Sequence, residues 1–204
     1  MFVPHAFRFE NRAEQIAFMK RYSFATLVTA VDGLPLATQL PFAIAEREGV
    51  LVLSAHFAAG NEHAAHIAAH TSLVMFTEPH AYISPTHYDK RESVPTWDYI
   101  AVHAYGKAKI LDGPEAKMQA MEQLILCYEP AYLATWQTLP DRYKQGMLQG
   151  IVAFELEVTE LQAKQKLSQN KSITERERIA AQLEKGNAPE AGLAPYIRAT
   201  IRTT

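Results

Sequence analysis

The segment between Pro79 and Gly106 holds a dense set of side chains that could do chemistry. Aromatic rings offer a stacking surface, and hydroxyl and ammonium groups offer contacts to phosphates or ring edges, so the mixture is typical of a site for a planar, anionic ligand. A packed loop whose tyrosine and tryptophan donors are satisfied locally explains the same composition equally well. The side chains are Tyr82, Ser84, Thr86, His87, Tyr88, Lys90, Thr96, Trp97, Tyr99 and His103.

A second polar stretch, residues 164–172 with the sequence KQKLSQNKS, follows the last strand that the sequence predicts. Its lysines, together with Ser168, Gln169 and Asn170, could contact an anion or a nucleic acid. Charge alone favours the simpler interpretation, which is a solvated connector.

The histidines and the single cysteine suggest little chemistry of their own. His63, His66 and His70 are spaced so that they share one face of a helix, and with His56 they resemble part of a metal site. The sequence has no HExxH order and no second cluster of ligand residues, so we predict no metal and favour an exposed or interface helix face. Cys127 lies on the apolar side of a predicted helix, where a buried structural thiol is expected.

The motifs of several enzyme classes are missing from the chain. It contains no GxGxxG, no Walker-type glycine loop and no GxSxG, so a Rossmann site, a P-loop and an α/β-hydrolase elbow have no support. No acid–base pair stands out, and the catalytic residues stay unassigned.

Hydrophobic periodicity predicts the elements that position these residues. Apolar, β-branched runs separated by turn signals predict an antiparallel set of about six strands, interrupted by an edge or a bulge at Pro41. Such strands leave exposed edges unless the sheet closes, so we predict a small β-barrel flanked by helices. The predicted strands are 24–33, 36–49, 50–57, 72–84, 98–111 and 151–161, and the predicted helices are 11–21, 61–70, a segment that starts near Pro114, and 172–185. We expect residues beyond about 187 to be poorly ordered, because they carry two prolines and a glycine.

Composition and charge exclude some classes of protein. The 204 residues have 48% apolar and 21% charged side chains, which is ordinary globular composition. A formal net charge of −2 argues against non-specific nucleic-acid binding, and no apolar run is long enough for a transmembrane helix. One cysteine and no signal-peptide pattern predict a cytoplasmic protein. We predict a barrel domain over residues 1–161 and a C-terminal helical extension over 162–204, packed on the barrel or on a partner subunit.

Several motifs, in the same order along the chain, resemble those of a known family. YISPTHY at 82–88, VPTWDYIAVHAYG at 94–106 and KLSQNK at 166–171 are similar to the signature of the PaiB-type FMN-binding negative transcriptional regulators. The opening MFVPHAF resembles another hallmark, and LSAHFAAGN at 53–61 resembles the HxARxN motif that ends a strand in that family. The likeness covers nearly the whole chain.

The resemblance implies a split β-barrel of the flavin-reductase and pyridoxine-phosphate-oxidase type, mainly β with flanking helices. It also implies a homodimer that holds FMN in a groove between subunits. The phosphate is expected at the end of the third predicted strand, the isoalloxazine along the second, and two further segments are expected to close the site. The implied cofactor residues are Ser54, Ala55, His56 and Asn61 for the phosphate, Thr38, Gln39, Leu40 and Pro41 for the ring, and Trp97, Tyr99, Lys166 and Gln169 for the closing segments.

The chain departs from the family pattern at two important places. Ala59 occupies the position of the usual basic residue, so the phosphate loses a fixed positive partner, and we expect weakened FMN binding. Asp98 replaces the usual Asn after PTW and adds a negative charge. Lys166, Lys90 or local histidines could compensate for the missing cation.

Three functions stay open at the level of sequence. The first is a dimeric FMN-binding regulator; direct DNA binding has little support, because the charges of TERER at 174–178 alternate in sign as on a solvated helix. The second is a flavin-dependent oxidoreductase acting on a small molecule, since flavin itself supplies hydride chemistry. The third is a haem-binding split barrel, with His56, His63 or His87 as conceivable axial ligands.

Overall fold

The computed structural model describes residues 1–202, which form eight β-strands, six α-helices and three short 3-10 turns. The strands are β1 (Phe24–Val31), β2 (Leu34–Pro41), β3 (Ala43–Arg47), β4 (Val50–Ala58), β5 (Thr71–Phe76), β6 (His80–Ile83), β7 (Thr96–Ile110) and β8 (Ile151–Lys166). The helices are α1 (Arg12–Arg21), α2 (Pro114–Tyr128), α3 (Tyr132–Thr138), α4 (Asp141–Gln149), α5 (Ile173–Leu183) and α6 (Ala188–Arg202). The 3-10 turns are His5–Phe7, Glu62–Ala65 and Pro85–His87.

The strands confirm most of the predicted periodicity and correct it at two prolines. The predicted strand 36–49 is two strands, because β2 ends at Pro41 and β3 begins at Ala43. The predicted strand 72–84 is also two, since the segment around Pro79 lies between β5 and β6. Proline has no N–H to donate to a strand ladder, and this accounts for both breaks. Six predicted strands therefore become eight.

Three predictions about helices and connectors are wrong. Residues 61–70 do not form a helix of two or more turns; only the 3-10 turn Glu62–Ala65 is present. The stretch 164–172 is not a solvated connector, because β8 continues to Lys166 and the next two side chains, Leu167 and Ser168, are buried. The residues after 187 form α6, although Thr203 and Thr204 lie outside the described residues.

The strands form one antiparallel sheet with the order β2-β1-β5-β7-β8-β4-β3, and β6 pairs with β7. The paired registers place Leu27 opposite Thr38 between β1 and β2, and Ser54 opposite Glu155 between β4 and β8. The chain divides into two compact units: unit 1 holds Met1–Gln15, Thr77–Val102 and Gln162–Thr204, and unit 2 holds Ile16–Phe76 and His103–Leu161.

The core of unit 2 is built around four phenylalanine rings. Phe42 meets Phe76 and Phe154 edge-on at centroid distances of 6.1 and 6.3 Å, and Phe57 stacks on Phe154 at 4.9 Å. All four side chains are fully buried, and each aromatic side chain removes a large apolar area from water. This packing fixes β4 and β8, and hence the end of β4.

The core of unit 1 is formed where α5, α6 and β6 pack together. Ile179 of α5 and Leu193, Ala194 and Ile197 of α6 are fully buried. Ser172 caps α5 in a capping box with Glu175, which satisfies N–H groups at the helix start. Pro195 lies inside α6, so apolar burial outweighs the lost backbone hydrogen bond.

Candidate functional site

The predicted ring and phosphate residues of unit 2 meet at one buried histidine. His63 follows the end of β4, and its Nδ1 lies 3.0 Å from the Thr38 hydroxyl on β2. Its backbone N–H donates to the Asn61 side chain at 2.9 Å, so Asn61 caps the 3-10 turn that contains His63. His63 therefore connects a predicted ring contact with a predicted phosphate contact.

Two further hydroxyls complete this network. His63 Nε2 lies 2.6 Å from the Thr29 hydroxyl, and Thr29 in turn lies 2.6 Å from the Ser72 hydroxyl. Thr29, His63 and Ser72 are all at most 1% exposed, and the Phe57 ring covers the imidazole at a centroid distance of 5.3 Å. Desolvation by burial, with a contribution from His66, lowers the pKa of His63, so its imidazole is neutral at pH 7.

The remaining ring candidates lie along β2. The Leu40 side chain is buried, Pro41 and Thr38 are half-buried, and Gln39 is exposed. β2 is the first strand in the sheet order, and it pairs with β1. Thr38 and Gln39 thus supply the polar groups of this strand, one fixed by His63 and one open to solvent.

The predicted phosphate residues on β4 are less available. Ser54 is buried and its hydroxyl donates to the Glu155 carboxylate at 3.2 Å, which Arg47 also contacts at 2.8 Å. The Ala55 side chain is buried as well. His56 is half-buried, and burial lowers the pKa of its imidazole.

The turn after β4 carries the departure from the family pattern. Ala59 is exposed, and its N–H donates to the Gly150 carbonyl at 2.8 Å. The Asn61 N–H donates to the Ala58 carbonyl at 2.9 Å. These two backbone donors are already used within the protein and are not available to a phosphate.

The predicted closing segments lie in unit 1 and meet at a buried carboxylate. Asp98, on β7, is fully buried, and its Oδ2 accepts a hydrogen bond from the Ser168 hydroxyl at 2.5 Å. Lys166 donates to the Thr96 hydroxyl and the Trp97 carbonyl, and its ammonium lies 3.6 Å from Asp98 Oδ1. Burial raises the pKa of Asp98, although Ser168 and Lys166 partly oppose that shift.

This geometry changes the interpretation of Asp98 and Lys166. The Asp98 side chain is not an added surface charge, because it is enclosed and paired. The Lys166 ammonium donates hydrogen bonds to a hydroxyl and a carbonyl of its own unit and forms an ion pair with Asp98. Lys90, the other lysine considered as a substitute cation, is exposed. The partners of Lys166 in this structure are therefore groups of the protein itself.

The other unit 1 candidates differ in their availability. The Gln169 amide folds back on its own segment, donating to the Gln165 carbonyl and accepting from the Leu167 N–H, both at 2.7 Å. Tyr99 is half-buried with the Lys164 ammonium 5.1 Å from its ring centroid. Trp97 is 54% exposed and stands near His80 and Tyr82 at centroid distances of 5.9 and 6.1 Å. Trp97 is thus a ring that a planar ligand could reach.

Comparison with known proteins gives the site a family. The sequence model of a family described as "Putative FMN-binding domain" matches residues 1–160. The chain belongs to this FMN-binding family. A relative from Bacillus subtilis (strain 168), named Protease synthase and sporulation protein PAI 2, is 37% identical over 197 residues, which cover 94% of this chain and 93% of the relative. Membership confirms the predicted PaiB-type resemblance and supports a flavin cofactor.

Solved structures of flavin proteins share the fold. The FAD and heme binding protein from Mycobacterium smegmatis superposes with a TM-score of 0.61 at 17% identity, covering 76% of this chain and 71% of that one. The flavocytochrome Anf3 from Azotobacter vinelandii gives 0.59 at 12% identity, with coverage of 76% and 67%. The predicted fold class, a split β-barrel with flanking helices, is confirmed.

The residues of this member of the FMN-binding family fit the two ends of a flavin unequally. Thr38 and Gln39 offer a fixed hydroxyl and a free amide, which are the groups that hydrogen-bond a ring edge. The turn at Ala59 offers no cation, and Ser54 is turned to Glu155. The donor set therefore fits a ring well and a phosphate poorly.

Sequence reasoning missed His63 as a hydrogen-bonding centre: it weighed a metal or haem ligand and favoured an exposed or interface helix face, whereas the residue is buried. Both of its ring nitrogens are engaged by hydroxyls, which removes its support as an axial ligand. Among residues 1–202 no group of three or more His, Cys, Asp or Glu side chains could hold a metal ion. The sequence signal for His63 was Asn61, two residues upstream. Asn is a favoured N-cap residue, and an N-cap side chain accepts a hydrogen bond from a backbone N–H in the first turn, which fixes that backbone.

Two other expectations are settled by the described part of the chain. Cys127 is exposed and not buried, so its expected role in the core is wrong. Of the helices in residues 1–202, not one combines the length and the apolar character needed to cross a membrane.

Proposed function

We propose that this protein binds FMN, with the isoalloxazine ring against β2 at Thr38–Pro41 and the phosphate near the turn after β4. The observation that carries the proposal is the hydrogen-bonded connection of Thr38, His63 and Asn61. It holds a strand residue and a turn residue in fixed relation, as a ligand with a ring at one end and a phosphate at the other requires. Family membership supplies the ligand class.

The proposed phosphate position predicts a gain of affinity on restoring a cation. Ala59 is exposed, so an arginine fits there without displacing packed atoms. A hydrogen bond to a charged group contributes about 1.5–3 kcal/mol, which corresponds to roughly one to two decades of affinity. Ala59→Arg should therefore tighten FMN binding about tenfold or more.

The experiment is a titration of flavin-free protein, monitored by flavin fluorescence. Ala59→Arg should tighten FMN but leave riboflavin, which lacks the phosphate, unchanged. Gln137→Arg on α3, also an exposed site, is the matched control for added charge. Equal FMN affinity of the wild type and Ala59→Arg would show that the phosphate does not bind at the turn after β4. The absence of flavin binding in every variant would contradict the proposed function.

We further propose that the protein is a homodimer whose two subunits both contribute to the flavin site, since the closing segments of unit 1 expose Trp97 as a stacking surface. Light scattering of the purified protein measures the mass directly. A mass equal to the single-chain 22.8 kDa at every concentration would contradict the dimer.

A regulatory role is proposed through the bound ligand and not through DNA contacts. Three arginines of the C-terminal helices are used inside unit 1: Arg176 donates to Thr200, Arg178 pairs with Asp89, and Arg198 pairs with Glu177 and Glu184. Paired cations release few counterions from a DNA backbone. The binding of random-sequence DNA at low salt would contradict this part of the proposal.

A further inference from the structure

A continuous series of hydrogen bonds connects four side chains: Thr38, His63, Thr29 and Ser72. One end of this hydrogen-bonded chain lies on β2, and the rest lies in the interior of unit 2. The atoms are consecutive: Thr38 Oγ1 to His63 Nδ1 at 3.0 Å, His63 Nε2 to Thr29 Oγ1 at 2.6 Å, and Thr29 Oγ1 to Ser72 Oγ at 2.6 Å. Three members are fully buried, and Thr38 alone is half-buried. The chain therefore has one end that a ligand can reach.

Counting hydrogens shows that the direction of this chain is set at the imidazole. A neutral imidazole carries one N–H, and the other nitrogen is an acceptor. With the hydrogen on Nδ1, His63 donates to Thr38, and the Thr38 hydroxyl hydrogen points away from the imidazole. With the hydrogen on Nε2, Nδ1 accepts from Thr38, and Thr38 offers only a lone pair outward. Both arrangements contain the same number of hydrogens.

The imidazole of His63 is enclosed, since the residue is 1% exposed. The Phe57 ring covers it, and the Asn61 side chain holds the His63 backbone N–H at 2.9 Å. The buried hydroxyls of Thr29 and Ser72 face each other from paired positions of β1 and β5. The ring of His63 thus has fixed partners on both edges.

We propose that His63 is a positioning residue that sets, by its tautomer, whether Thr38 presents a hydrogen or a lone pair to the ring edge of a bound flavin. This rests on the proposed placement of the ring along β2. A flavin edge offers both acceptors and donors, and which it offers at a given atom differs between its oxidised and reduced forms. A hydroxyl whose direction can reverse suits such an edge, whereas a hydroxyl with one fixed direction suits a single form.

Two substitutions at position 63 separate this role from simple packing. An asparagine side chain places its polar atoms near the Nδ1 position, so His63→Asn keeps a partner for Thr38 and loses Thr29. A glutamine reaches the Nε2 position, so His63→Gln keeps Thr29 and loses Thr38. Both variants lose a comparable amount of buried ring, and urea unfolding of each provides the stability comparison.

The measurement is riboflavin affinity by fluorescence titration, since riboflavin tests the ring without the phosphate. His63→Gln and Thr38→Val should each weaken riboflavin about threefold to tenfold, the effect of one lost hydrogen bond, and the double variant should weaken it no further. His63→Asn, which keeps a partner for Thr38, should bind riboflavin more tightly than His63→Gln. Equal weakening by His63→Asn and His63→Gln would overturn the positioning role and leave flavin binding intact.

A second readout does not depend on affinity. The ¹⁵N chemical shifts of His63 report which ring nitrogen carries the hydrogen, and the shifts should change between riboflavin-bound protein in the oxidised and in the dithionite-reduced state. Identical shifts in both states would overturn the inference. A wild-type protein that binds neither FMN nor riboflavin would overturn the proposed function, and this inference with it.

Discussion

Gly106 on β7 is the position where one added methyl group should do the most damage. A Cβ at this residue would lie 2.5 Å from Leu156 Cδ2 and 2.9 Å from the carbonyl carbon of Glu157, with the carbonyl oxygen nearer still. Real Cβ atoms essentially never approach other heavy atoms within 3.0 Å. The obstructing group is backbone of β8, which a change of side-chain rotamer cannot move out of the way.

The expected cost follows from these contacts. Overpacking of a filled interior costs about 1–3 kcal/mol. Displacing the Glu157 carbonyl also weakens a backbone hydrogen bond, which adds about 1 kcal/mol. Replacing glycine by alanine returns about 0.4–1 kcal/mol by restricting the unfolded chain. Gly106→Ala should therefore destabilise the fold by about 1–4 kcal/mol.

The assay is equilibrium unfolding in urea, with Gly146→Ala as the matched control. Gly146 lies inside α4, and an added Cβ there meets nothing within 4 Å. Alanine is the better helix residue by about 1 kcal/mol, so Gly146→Ala should raise the unfolding midpoint while Gly106→Ala lowers it. Midpoints that shift equally, or a Gly106→Ala variant as stable as wild type, would refute the close approach of β7 and β8.

The remaining predictions concern unit 1. Burial raises the pKa of Asp98 above its ordinary 3.8, so the native state keeps this proton to a higher pH than the unfolded state. The protonated carboxyl group therefore adds to the free energy of unfolding below pH 3.8, and this contribution is lost as the pH rises through the native pKa. Asp98→Asn does not titrate, so urea unfolding should show its stability relative to wild type increasing from about pH 4 to pH 7; a pH-independent difference would contradict the buried carboxylate. Ser172→Ala removes the N-cap of α5 and should cost about 1 kcal/mol in the same assay, whereas an unchanged midpoint would mean that the capping box contributes nothing.

The sequence predicts the strands well, because their signals are local. Alternating apolar residues in 98–111 and 151–161 lie in β7 and β8, and the Asp32-Gly33 turn has positive φ angles of 51° and 83°, as a tight hairpin requires. Asn11 and Glu14 cap the start of α1 through two hydrogen bonds of 3.2 Å each. Each of these features depends on neighbours in sequence.

The misjudged segments depend on distant partners. The Ala-rich segment 61–70 stays non-helical beyond one short turn, and the His63 side chain within it bonds Thr29 and Thr38 of other elements. The lysine-rich segment after 162 becomes a strand end whose Lys166 faces the buried Asp98. α6 contains Pro195, yet it forms because its apolar residues are enclosed. Periodicity within one segment contains no information about such partners.

The candidate site also combines features that the sequence predicts with features that depend on distant partners. Motif resemblance was sufficient to identify the family, and the structure joins Thr38 and Asn61 of the predicted set through one histidine. It also shows that Ser54, Lys166 and Gln169 already hold partners within the protein. Whether a polar side chain is free or engaged depends on its three-dimensional neighbours, which motif spacing does not report.

Unit 1 is assembled from separate stretches of the sequence, and this limits the positions at which the protein can be shortened. The unit takes three separate stretches of sequence, and the family's matched region ends at residue 160, before the third stretch begins. A chain cut at that boundary would keep Asp98 and lose Ser168 and Lys166, which leaves a buried carboxylate without its hydrogen-bond donor and its cation. The three stretches of unit 1 must therefore be kept together when the protein is shortened.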